Sequence, residues 1–117
     1  MASQPTKKTM KVKFLGAECD VVFGKYENGR TAIRLTENGS PFATATINDP
    51  DAWLEPGQVL IKNYSENAGI VDALAEAGIL EKEEELFFGP HHASVWVCNL
   101  VPQKEEPLYI IGNSWSR

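Results

Sequence analysis

Residues 59–81 read Val-Leu-Ile-Lys-Asn-Tyr-Ser-Glu-Asn-Ala-Gly-Ile-Val-Asp-Ala-Leu-Ala-Glu-Ala-Gly-Ile-Leu-Glu, and they restrict the fold of this chain more than any other stretch. They predict a buried strand over 58–62, a polar turn, and one short amphipathic helix over 66–77. Ser65 stands at an N-cap position, with Glu66 placed where the helix dipole favours negative charge. Ile70, Val71, Leu74 and Ala77 recur at helical spacing. Gly78 supplies the residue that stops the helix, and Ile79 can fold back onto Leu74. A helix this short is marginal by itself, so its apolar stripe must lie on a sheet.

The sheet is written in the rest of the chain. Residues 10–15 alternate, 16–18 turn, and 19–26 continue as a strand. Asn28-Gly29 and Asn38-Gly39 are hairpin signals of the type I′ kind, which needs positive φ at both central positions. Thr31 to Thr36 alternates, with Ile33 and Leu35 on one face, and 41–48 is rich in β-formers. Four consecutive antiparallel strands follow. The prolines of 49–57 forbid regular structure there, and Trp53 and Leu54 are expected to plug the edge of the core. Glu81 to Glu85 reads as a solvated turn, followed by strands at 86–88 and 93–101. Leu108 to Ile111 could form a final edge strand. The expected fold is α+β: an antiparallel sheet of six or seven strands, beginning as a meander, with one helix packed on a face. Residues 1–9 are expected to be a disordered leader, 10–111 a single domain, and 112–117 a tail. The expected core comprises Val12, Phe14, Val22, Ile33, Leu35, Ile47, Leu60, Ile70, Leu74, Val95 and Val97.

Composition excludes more than it suggests. The 117 residues suffice for one domain with a real core. A formal charge of −5 argues against a protein that tracks phosphate backbones, which needs clustered Lys and Arg. An acidic surface could meet a basic partner, although mild acidity also serves solubility alone. No apolar run is long enough for a transmembrane helix, and the first 13 residues hold no apolar segment of a secretory signal. Cys19 and Cys98 lie far apart in apolar, strand-like runs. That spacing suits free buried thiols in a reducing cytoplasm, and it leaves a disulfide open.

No reaction centre is legible. His91 and His92 are adjacent, so on a strand they would face opposite ways and could not present two ligands to one metal. Cysteines in apolar surroundings are poor nucleophiles, because burial raises the thiol pKa. Glycine-rich phosphate loops, nucleophile elbows and zinc-protease motifs are all missing. The expectation is a protein without catalytic residues, metal or cofactor. Two places hold more polar character than structure requires. One is the loop with Lys62, Tyr64 and Glu66, which reads either as helix capping or as a partner-facing surface. The other is a set of carboxylates, Asp72, Glu76, Glu81, Glu83, Glu84 and Glu85, which could form one negative patch that imitates DNA phosphates. Lys82 dilutes that run, and glutamate-rich turns are common.

The order of strands, Asn-Gly hairpins, "P-x-A-T-A-T-x-N", a proline loop and then "V-L-I-K-N-Y-S-E-N-x-G-I-x-x-A-L-x-x-A-G-I-L-E" resembles a family of small proteins of unassigned function. These are encoded on bacterial phages, plasmids and other mobile elements. The likeness spans residues 14–101 and is strongest over 62–78, where Lys62, Asn63, Tyr64, Ser65, Glu66, Asn67 and Gly69 mark it. The Glu81 to Glu85 run and everything after Pro102 depart from the pattern. Some members of this group look like anti-CRISPR proteins of type II systems. The resemblance thus implies an anti-CRISPR protein that binds and inhibits an RNA-guided effector nuclease, or another basic host protein, in the bacterial cytoplasm, without touching nucleic acid or membrane itself. The alternative is a non-enzymatic accessory protein of a mobile element.

Overall fold

The computed structural model describes residues 10–102. Among the described residues there are eight strands: β1 (Met10–Phe14), β2 (Ala17–Lys25), β3 (Thr31–Glu37), β4 (Ser40–Thr44), β5 (Thr46–Ile47), β6 (Gln58–Lys62), β7 (Leu80–Phe88) and β8 (Ala93–Leu100). A 3-10 turn at Ser65–Asn67 and one helix, α1 (Ile70–Glu76), separate β6 from β7. The fold is α+β, with antiparallel pairing throughout.

The strands form two sheets of four, ordered β1-β2-β3-β4 and β5-β6-β8-β7, where a single sheet was expected. The division falls at Ala45. Its N–H donates to the Ile33 carbonyl at 2.9 Å, while its carbonyl accepts from the Lys62 N–H at 2.8 Å. One bent strand therefore ends the first sheet and begins the second, and small, fully buried Ala45 fits at the bend. Thr46 secures the same corner. Its hydroxyl lies 2.7 Å from the Tyr26 hydroxyl and accepts from the Ile33 N–H at 3.2 Å.

The meander forms as predicted, with turns that differ in detail. Asn38 and Gly39 both have positive φ, 52° and 84°, as a type I′ turn requires. At Asn28-Gly29 only Gly29 is left-handed. Gly29 N–H donates to the Tyr26 carbonyl and Tyr26 N–H to the Arg30 carbonyl, so this is a three-residue loop ending in a glycine bulge, not type I′. The first turn is Leu15-Gly16, because Phe14 pairs with Ala17 and β2 already includes Glu18. Leu15 adopts φ 54°, a region that L side chains enter at a cost, and it is 67% exposed.

The largest correction is the charge run. Glu81 to Glu85 is no turn: it lies within β7, a nine-residue strand paired with β8. Carboxylates are poor β-formers, but on an edge strand both faces at this end meet water, so nothing penalises them there. The helix also starts later than predicted. Ser65 has φ 59° and Gly69 φ 91°, and these reversals cut the expected helix over 66–77 into a 3-10 turn and a seven-residue α1. Ser65 is not the cap. Asn63 Oδ1 accepts from the N–H groups of Gly69 and Val71, each at 3.1 Å, and so caps α1 from a distance. The helix end follows the prediction. Gly78 N–H donates to Ala75 O and Ile79 N–H to Leu74 O, the paired bonds of a Schellman motif.

The main core lies between the sheets and under α1. It joins Val12, Phe14, Cys19, Val21, Ile33 and Leu35 of the first sheet to Val59, Ile61, Leu80 and Cys98 of the second, with Ile70, Val71, Leu74 and Ile79 between. Helix α1 bridges β1 and β7, the end strands of the two sheets. A second cluster, Leu60, Val95 and Val97, occupies the other face of the second sheet, under Ile47, Ala52, Leu54, Tyr64 and Leu86. Three core expectations need adjustment. Val22 is 42% exposed, since alternation turns Val21 inward instead; Ile47 is only half-buried; and Trp53, the expected plug, is 79% exposed while Leu54 does the covering. Residues 1–9 and 103–117, with the suggested leader, tail and strand over 108–111, lie outside the described residues. Among the described residues, no helix is long and apolar enough to cross a membrane.

Candidate functional site

Strand alternation and register decide what each charged residue can reach. In the second sheet Lys62, Val95 and Leu86 lie abreast, as do Leu60, Val97 and Glu84, and Gln58, Asn99 and Glu81. These rows share the face turned away from α1, here the outer face. Trp96 and Cys98, with Lys82 and Glu85 opposite them, lie on the inner face beside the helix. The register of β7 shifts between Lys82 and Glu84, which makes Glu83 a bulge residue. A bulge reverses the facing of every residue beyond it. Here it gathers Glu83 and Glu84 with Glu81 on the outer side and sends Glu85 to the inner side.

The expected single negative patch is therefore two. Glu81, Glu83 and Glu84 stand on the outer face of β7, whereas Glu85, with Asp72 and Glu76 of α1, stands on the helix side; all six are exposed. The edge of β7 is the ridge between them. On the helix side Lys82 Nζ pairs with Asp72 at 2.7 Å and sits 5.1 Å from the centre of the Trp96 ring. The bond to Asp72 raises the Lys82 pKa. Glu85 Oε2 accepts from the Ser94 hydroxyl at 2.6 Å.

On the outer face a chain of hydrogen bonds crosses three strands. Glu55 N–H donates to Gln58 Oε1, Gln58 Nε2 to Asn99 Oδ1, and Asn99 Nδ2 to Glu83 Oε1 at 2.8 Å. It holds the Glu83 carboxylate in place. Sequence reading missed it, because Gln58 and Asn99 become neighbours only through the β6–β8 pairing. Among the described residues, the side chains of Glu81 and Glu84 have no hydrogen-bond or ion-pair partner.

Of the two readings of the loop after β6, the structure shows capping, through Asn63 rather than Ser65. Tyr64 packs on the second cluster, Leu60, Val95 and Val97. Lys62 Nζ lies 5.1 Å from the Tyr64 ring centre and 2.7 Å from Glu66 Oε2. That bond, with the Glu66 backbone and the Ser65 hydroxyl assisting, lowers the Glu66 pKa to about 2. The topology sets this loop and the outer carboxylates on one face, with Leu86, Val95 and Val97 between them.

The charge of the chain is divided unevenly. The first sheet mixes Lys11, Lys13, Lys25, Arg30 and Arg34 with Glu18, Asp20, Glu27 and Glu37. Residues 49–102 carry Asp49, Asp51, Glu55, Glu66, Asp72, Glu76, Glu81, Glu83, Glu84 and Glu85 against Lys62 and Lys82 alone. Both of those lysines are engaged in ion pairs. A modest net charge thus hides a strongly negative half.

The remaining reactive side chains sit apart from this surface. Burial pushes the Cys98 thiol up to about 12 and raises that of Cys19, so neither is a thiolate at neutral pH. His91 and His92 are exposed in the β7–β8 turn, with the His92 ring edge-on to Phe87. No family model, no curated protein and no solved structure matches this chain.

Proposed function

We propose that this chain is a non-catalytic inhibitor that docks its acidic half on a basic protein surface, and that the target is an RNA-guided CRISPR effector nuclease in the bacterial cytoplasm. The observation that carries the reading is the gathering of carboxylates on the second sheet and α1, displayed on a rigid scaffold with its lysines already paired. Effector nucleases hold their nucleic acids in positively charged channels, which an acidic surface of this kind can occupy. The same charge disfavours direct contact with phosphate backbones. The family resemblance around Lys62 to Gly69 supplies the identity of the target.

The test is a cleavage assay with purified effector, with and without guide RNA, against wild-type protein and Glu81→Lys/Glu84→Lys. These two positions are chosen because Glu83 and Glu85 hold hydrogen bonds, so their reversal would disturb the fold as well as the charge. Inhibition by the wild type that the double variant loses, at an unchanged melting temperature, is the expected result. Inhibition that survives the reversal removes the acidic surface from the mechanism. Capture of a basic protein other than a nuclease would move the assignment to an accessory protein of a mobile element.

A further inference from the structure

The acidic run lies on an unpaired strand edge. Among the described residues β7 has a neighbour on one side only, β8, and its other edge carries backbone donors and acceptors with no ladder partner. From Glu81 to Phe88 every side chain of this strand is exposed except half-buried Leu86. A free edge of this length is a template for another strand, and proteins commonly guard such edges with charge and with bulges. Both guards are present in the run around Glu83.

The guard is selective by its sign. A second copy pairing β7 against β7 would set glutamates opposite glutamates, and like charges directly opposite destabilise a ladder. A strand bearing Lys or Arg would meet the reverse situation on both faces, at Glu81 and Glu84 outside and at Glu85 inside. Beyond the charges, Leu86, Phe87 at 58% exposure and Phe88 at 41% offer apolar contact to the same incoming strand.

We propose that β7 binds its partner by strand addition: an extended segment with basic side chains facing Glu81, Glu84 and Glu85, and apolar ones facing Leu86 to Phe88, hydrogen-bonds along its free edge. Main-chain bonds supply the affinity and the alternating side chains the selectivity, as in other strand-addition complexes. The inference rests on the acidic half being the docking surface, and adds how the partner is held.

The probe is a synthetic peptide as long as β7, with lysines set against Glu81, Glu84 and Glu85 and valines at the other positions, including those against Leu86 to Phe88, with two derivatives N-methylated on one or the other set of alternate amides. A ladder uses the amides of alternate residues, so methylation of one set blocks pairing while the other is tolerated. The expected result is binding of the parent peptide, loss of at least about tenfold for one methylated form only, corresponding to about 1.4 kcal/mol, and slowed amide exchange in β7. No binding, equal binding of both methylated forms, or unchanged exchange in β7 overturns the proposal. So does sedimentation showing that the chain already fills this edge by self-association. Salt-sensitive binding of both methylated forms would leave the acidic docking surface standing and remove strand addition alone. A failure to inhibit any nuclease would not alter the peptide result.

Discussion

Asn63 shows how much one side chain can hold. Its Oδ1 takes two backbone N–H groups at the start of α1, a place where the preceding turn leaves no conventional cap. Asn63→Ala should lose about 0.5–2 kcal/mol of stability, the usual cost of a lost cap, measured by urea unfolding. Ser65→Ala should lose less, since Ser65 does not cap α1. Three positions later, Glu66 has a carboxyl held near 2 by Lys62, well below its ordinary 4.5. The folded-state value is depressed, so the pair's contribution to stability is present above the ordinary value and lost as pH falls through about 2. In Lys62→Met the Glu66 midpoint should move up toward 4.5, followed by NMR titration of the carboxyl group. Both residues were recognisable as polar and notable in the sequence. The partners of Asn63 were not, because it reaches across a turn whose left-handed Ser65 and Gly69 no local pattern announces.

At the scale of elements, α1 depends on what it covers. Leu74 is fully buried between the sheets, and Leu74→Ala should cost about 2–5 kcal/mol in thermal or denaturant unfolding. Val22→Ala, on the solvent side of β2, should stay within about 0.5 kcal/mol of the parent. The contrast separates the two faces of a strand whose consecutive valines look alike in sequence. Hairpins, the helix stripe and the Gly78 stop were legible because each depends on neighbours within a few residues. β7 was not. Its glutamates speak against a strand locally, and pairing with Val95, Val97 and Cys98 overrides them.

At the scale of the whole molecule, the acidic half sets long-range behaviour. Association with a basic partner should slow as salt rises, since opposite charges steer encounter and ions screen them. Stopped-flow association rates for the wild type should fall steeply with ionic strength, and those of Glu81→Lys/Glu84→Lys should start lower and fall less. By itself the sequence determined the α+β class, the opening meander, the ends of β6 and the stop of α1, since alternation, turn chemistry and capping act between residues close in the chain. Only the tertiary structure decided the division at Ala45, the facing of each glutamate and the polar chain from Gln58 to Glu83. These follow from register between strands distant in sequence, where one bulge at Glu83 exchanges the inner and outer faces of everything after it.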